Sequence, residues 1–157
     1  MKRSFALLLQ AVVVVIGLAV LAFLLWEPHV EGRNAHATTF EIYFHDPFLA
    51  YVYLGSAPFF LAVGRAFTLL GRVRKQGAFS QVTADGLRSI KRCAFVLMGF
   101  VAGGVVIIAL FGDKDDRPAG FFMGLLVILG ASAMAILAAK FARGVRNSLR
   151  RSEGAVG

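Results

Sequence analysis

Apolar residues along this chain gather into four long runs, Phe5–Trp26, Phe48–Leu70, Cys93–Phe111 and Ala119–Phe141, parted by polar connectors. Each run is close to the roughly 20 residues a helix needs to cross a hydrocarbon core about 30 Å thick. Lipid offers no partner to backbone amides, so runs of this kind satisfy them internally and read as helices. The pattern predicts an all-α integral membrane protein with four transmembrane helices in one antiparallel bundle. The runs cover more than half of the 157 residues, leaving no separate soluble domain. The mean hydropathy of +0.73 and the 58 % share of apolar residues lie outside the range of soluble domains of this size.

The connectors carry local signals of their own. Glu27-Pro28 is expected to stop the first helix just after Trp26, an aromatic placed as interfacial anchors are. The long connector, residues 27–47, holds all three histidines, and Phe40, Ile42 and Phe44 alternate there with Glu41, Tyr43 and His45. That period of two predicts a strand-like piece lying on the membrane surface. Pro47 suits the first turn of the second helix. Pro58 predicts a kink inside that helix, tolerated if a neighbouring helix or the Ser56 hydroxyl takes up the freed carbonyl. In residues 72–92, Ser80 reads as an N-cap, with Val82, Leu87 and Ile90 tracing an apolar stripe beneath Arg88, Lys91 and Arg92. This predicts an amphipathic helix that lies along the inner leaflet, bends at Gly86 and runs on into the third span. Residues 142–157 form a basic tail, with Arg143, Arg146, Arg150 and Arg151 at helical spacing as an extension of the fourth helix.

Charge sets the expected orientation. Fourteen of the seventeen Lys and Arg fall on one side of the predicted bundle, together with only Asp85 and Glu153. The other side has Arg33, Lys114 and Arg117 against seven acidic residues. By the positive-inside rule both termini and the 72–92 connector are cytoplasmic. Membrane lipids are then sufficient partners for the basic residues Arg72, Arg74, Lys75, Arg88, Lys91 and Arg92, at about 1 kcal/mol per charge near an anionic surface. No direct nucleic-acid partner is expected despite the pI of about 10.4. The first run, behind Lys2-Arg3, is longer than a usual signal-peptide core and reads as a retained anchor.

Candidate chemistry is sparse. The connector residues His36, Glu41, His45 and Asp46, with His29, are the metal candidates, since imidazole and carboxylate suit zinc, copper or nickel. Their spacing matches no zinc signature, and interfacial hydrogen bonding is the preferred reading, with pH sensing and metal binding behind it. No Asp, Glu or His falls within the four runs, where coupled transporters and haem-bearing bundles place such groups. Arg65 is near enough to the cytoplasmic end to snorkel. Cys93 is the only cysteine, which rules out an internal disulfide. No nucleophile elbow, P-loop or metalloprotease helix is present, so no enzyme and no cofactor are expected. Small residues recur at four-residue spacing, Gly99 with Gly103, Gly120 with Gly124, and Ala131, Ala135 and Ala139. They predict close helix packing within the chain, with a homodimer face as the alternative.

The segments Arg33-Asn34-Ala35-His36-Ala37-Thr38 and Phe40-Glu41-Ile42-Tyr43-Phe44-His45-Asp46-Pro47-Phe48-Leu49-Ala50-Tyr51 carry a family resemblance. It continues through Pro58-Phe59-Phe60, Leu69-Leu70-Gly71, Ala78-Phe79-Ser80, Leu87-Arg88-Ser89-Ile90-Lys91 and Asp115-Asp116-Arg117 into the last helix. The chain resembles the bacterial membrane family known as domain of unknown function 2975. The resemblance implies a four-helix bacterial inner-membrane protein and brings no catalytic residues with it. It also implies a partner, since members are often encoded beside a small cytoplasmic helix-turn-helix regulator. The expected function is that of a non-enzymatic sensor or regulator. The alternatives are an oligomeric small transporter or channel and a structural accessory subunit of a membrane complex.

Overall fold

A computed structural model describes residues 3–30, 47–76, 80–112, 114 and 117–154. It is all-helical: α1 is Arg3–Val30, α2 Pro47–Gln76, α3 Gln81–Phe111 and α4 Arg117–Gly154. All four are long and apolar enough to cross a membrane. Their 28, 30, 31 and 38 residues correspond to helices of about 42 to 57 Å, longer than a hydrocarbon core. Large apolar side chains point outward along every helix, among them Leu18, Phe95, Phe122 and Phe141. In water that surface would drive aggregation, whereas in lipid it is simply solvated.

Among the described residues, substantial packing joins only consecutive helices: α1 on α2, α2 on α3 and α3 on α4. The last of these interfaces is the most extensive. Its residues on α4 are Gly124, Ala131, Ala135, Ala138, Ala142 and Val145, all buried. Their spacings of seven, four, three, four and three are those of a heptad seam. On α3 the facing row includes Thr83, Ile90, Ala94 and Gly104, again a heptad series and again buried. Gly124 lies against Val105 and Val101, and Gly120 against Ile108. Further along, Ala94 packs with Ala131 and Ala135, and Ser132 Oγ reaches Met98 Sδ at 3.1 Å. Small side chains on α4 let the backbones approach, and lipid-embedded helices hold together through such contact.

Helix α2 is fastened to α3 at two levels. The Tyr51 hydroxyl donates to the Phe100 carbonyl at 2.7 Å, with the two rings 5.6 Å apart. Gly103 and Gly104 leave room for the Tyr51 ring, and Gly55 for Phe100. At the other level Leu69 of α2, Ile90 of α3 and Ala138 of α4 form a buried cluster. Leu69 seats against Gly86, where a Cβ would come within 2.8 Å of its methyl. Gly86 thus serves close packing, and α3 runs through it unbroken from Gln81 to Phe111. Helix α1 is tied to α2 by two hydrogen bonds from side chains to main-chain carbonyls. Gln10 Nε2 donates to Phe67 O at 3.1 Å, and the Tyr53 hydroxyl to Leu24 O at 2.9 Å.

Local details differ from the sequence expectation, beginning with α1, which runs through Glu27-Pro28 to Val30. Helix α2 continues through Pro58, but the Ser56 hydroxyl donates to Tyr53 O at 2.7 Å. A serine reaches the carbonyls three or four residues back, whereas Pro58 frees that of Leu54, only two residues before Ser56. Gly99 also departs from its assigned role in helix packing. It shares the outward arc of α3 with Phe95, Val96, Ala102 and Val106, and a Cβ there would meet nothing within 4 Å. Four-residue spacing put Gly99 and Gly103 on neighbouring positions, but Gly103 sits at the edge of that arc, where Tyr51 reaches it.

Gly103→Ala is therefore expected to displace the Tyr51 hydroxyl and cost about 1–3 kcal/mol, as overpacking does. Tyr51→Phe should cost about 0.6 kcal/mol, and Gly99→Ala nothing measurable. Reversible unfolding in mixed detergent micelles ranks the three. Equal losses for Gly99→Ala and Gly103→Ala would refute this packing.

Candidate functional site

The seam between α3 and α4 does not stop where the apolar runs stop. Contacts of Ile108 with Gly120, Val105 with Gly124, Met98 with Ser132 and Ile90 with Ala138 keep one register along the pair. Extended by two more turns, that register sets Val145 opposite Ala84. Both are buried, as are Thr83 and Ala142, although they lie beyond the apolar runs read from the sequence. The segment from Gln81 to Arg92 thus packs its small face on α4, where the sequence predicted a helix lying on the membrane surface. The apolar stripe divides accordingly: Ile90 is buried and Leu87 packs against it, while Val82 is exposed. Burial against alanines wins because α4 brings a matching row of small side chains, Ala138 and Ala142, to this end of the pair.

Local sequence explains how the hairpin starts. Ser80 is the N-cap of α3, in an extended conformation, and its Oγ accepts from Thr83 N at 3.2 Å. Substituting such a cap typically costs about 1 kcal/mol. At the opposite end of the pair, Gly112 caps α3 through its N–H to Ile108 O at 2.9 Å. Arg117 Nε donates to Gly112 O at 3.1 Å, which closes the connection into α4.

The basic residues decorate this hairpin and the end of α2. Arg72, Lys75, Arg88 and Arg92 are exposed, and Arg74 and Lys91 are half-buried. Lys91 Nζ lies 5.5 Å from the centre of the Phe95 ring, a cation–π contact at the edge of the third apolar run. Arg88 pairs with Asp85 at 3.5 Å, but both are exposed and the pair adds little. On α4, Arg143 Nε donates to Ala139 O at 3.4 Å, and Arg150 and Arg151 are exposed. Arg146 is half-buried, and its Nε is buried without a hydrogen-bond partner among the described residues. The result is one cationic end on which α2, α3 and α4 converge. The sequence reading assigned roles to the bases of α2 and α3 but missed the buried row Ala138, Ala142 and Val145, whose heptad spacing was there to be read.

The remaining candidates fall elsewhere. His36, Glu41, His45 and Asp46 lie outside the described residues, as do Asp113, Asp115 and Asp116. Toward the end of the helices away from the basic residues, a cavity of about 220 Å³ opens between α2, α3 and α4, lined by Tyr51, Val52, Phe100, Gly104, Val105 and Val127 among others. Its walls are apolar, with the Tyr51 and Ser56 hydroxyls both committed to main-chain carbonyls. Such a surface offers no chemistry beyond accommodating hydrocarbon.

Ala142→Leu should overpack the seam by about 1–3 kcal/mol and loosen the hairpin end. Hydrogen exchange in nanodiscs is expected to speed up over residues 83–90 and stay unchanged around 100–105. Phe141→Ala, at an outward-facing position, serves as the silent control.

Comparison with known proteins places these features in a family. No solved structure matches the chain. It is 31 % identical over 140 residues to the uncharacterized membrane protein YoaS of Bacillus subtilis (strain 168), with 88 % of each chain covered. The family model described as "Protein of unknown function (DUF2975)" matches residues 32–149, from the connector after α1 to the basic part of α4. The match spans most of the chain, and the protein belongs to this family of membrane proteins.

Proposed function

We propose that this is a non-enzymatic regulatory protein of the bacterial inner membrane, with both termini in the cytoplasm and four helices running antiparallel. The charge asymmetry supports the orientation through the positive-inside rule. The helix directions are supported by pairs such as Gln10 with Phe67 against Leu24 with Tyr53, and Leu69 with Ile90 against Tyr51 with Phe100.

One observation carries the regulatory reading: the α3–α4 seam runs without a break from the far side of the spans into the cationic end of the pair. A continuous helix pair is a rigid element, and a shift at one end is felt at the other. In this reading the histidine-bearing connector is the part exposed to the envelope. The hairpin with Arg88, Lys91, Arg92 and Arg146 is the part that holds a small cytoplasmic helix-turn-helix regulator through acidic groups on that partner. The lack of Asp, Glu and His in the apolar runs weighs against proton-coupled transport.

Affinity purification of the tagged protein from cross-linked native membranes, followed by mass spectrometry, tests the proposal. A small DNA-binding protein should be recovered, and Arg88→Glu combined with Arg92→Glu should lower its yield at least about tenfold, the cost of breaking charge-assisted contacts. Recovery of the protein alone as a discrete oligomer, unchanged by the charge reversals, would overturn it.

A further inference from the structure

The outward face of α2 contains a feature used neither by the packing nor by the basic hairpin. Helix α1 covers one side of α2, through Gln10 on Phe67 and Gly71. Helix α3 covers another, through the cluster of Leu69 with Ala62 and Ala66. Between them Leu61, Gly64, Arg65, Thr68 and Arg72 remain exposed. Arg65 lies inside the apolar span, 18 residues or about 27 Å beyond Pro47. Among the described residues its guanidinium has no hydrogen bond or ion pair. Arg72 is seven residues further along, two turns or about 10 Å away on the same face.

A lipid-facing guanidinium is costly unless an anion meets it, and in a bilayer the available anion is a headgroup phosphate. The neighbouring positions suit a lipid as well. Gly64 leaves a notch, where a Cβ would touch nothing within 4 Å. The Thr68 hydroxyl donates to Gly64 O at 2.8 Å, turned back on its own helix and leaving the space between the arginines clear. A second copy of the chain fits this face poorly. Facing α2 helices would bring two Arg65 guanidiniums together in a low-dielectric medium.

We propose that this face is a binding site for one anionic phospholipid of the leaflet at the basic end. Its phosphate lies between Arg65 and Arg72, and one acyl chain lies along Gly64 and Leu61. The site is separate from the α3–α4 hairpin and stands whether or not that hairpin holds a protein partner.

Native mass spectrometry of the purified full chain, titrated with phosphatidylglycerol or phosphatidylcholine, tests the assignment. One phosphatidylglycerol should be retained in preference to phosphatidylcholine. Retention should fall about tenfold in both Arg65→Gln and Arg72→Gln, the loss expected on removing a charge-assisted hydrogen bond. Arg65→Lys should keep most of it, and Arg151→Gln, at the far end of α4, all of it. Arg72→Gln lies past the second apolar run and guards against a folding defect in the Arg65 variant. Equal losses in Arg65→Gln and Arg151→Gln would mean diffuse charge attraction and overturn the site. Displacement by millimolar inorganic phosphate would mean a free-anion site. A dimer that dissociates in Arg65→Gln would mean a helix–helix interface. Either result would also overturn the proposal.

Discussion

Close approach of α3 and α4 along a row of glycine and alanine is the constraint on which this structure rests. Helices dissolved in lipid gain nothing from hiding leucine, because the tails are as apolar as the side chains. They gain from dispersion contacts that only small residues make possible. Gly124, Ala131, Ala135, Ala138 and Ala142 provide these contacts on one helix, against Ile90, Ala94, Val101 and Val105 on the other. The row keeps heptad spacing, so one geometry serves from the Gly120 turn to Val145 and crosses the end of the apolar run without a change in register. Helix α2 then docks on α3, and α1 docks on α2. The architecture is a series in which each member relies on the one after it.

Polar side chains in the spans are used as ties. Gln10, Tyr51 and Tyr53 each donate a hydrogen bond to a carbonyl of the adjacent helix, and Ser132 reaches a methionine sulfur. Such bonds are individually modest in a membrane protein, about 0.6 kcal/mol on average. Their direction matters more than their strength, since they fix rotation and register where apolar contacts alone would allow sliding. The Ser56 and Thr68 hydroxyls turn back on their own helix, and Arg65 is exposed with no hydrogen bond or ion pair to another described residue.

The two ends of the assembly differ in kind. At the basic end Leu69, Ile90 and Ala138 close three helices into one buried cluster. At the other end α2 and the α3–α4 pair leave an apolar cavity between them, with Gly55, Gly104, Gly120 and Gly124 in its lining. The closed end carries the charge and the long helical extension, which makes it the firmer of the two. The open end has no free polar group on its walls among those described, and it stays compatible with hydrocarbon.

The sequence by itself determined the membrane setting, the four helices and the cap at Ser80. Each of these depends on local properties: a run of apolar residues, a helix start signal, a proline at a first turn. It also carried the family resemblance, which lay in contiguous words such as His45-Asp46-Pro47. Tertiary structure alone decided which small residues face a neighbour. Gly103 and Gly99 look equivalent in the chain, yet only Gly103 meets Tyr51. Gly86 looks like a weak point in a helix and proves to be the seat of Leu69. The stretch from Gln81 to Arg92 has the amphipathic signature of a surface helix, and the same signature serves a helix that buries its small face on alanines. Periodicity states that a face is apolar, but what covers that face depends on the partner helix, some fifty residues away in the chain.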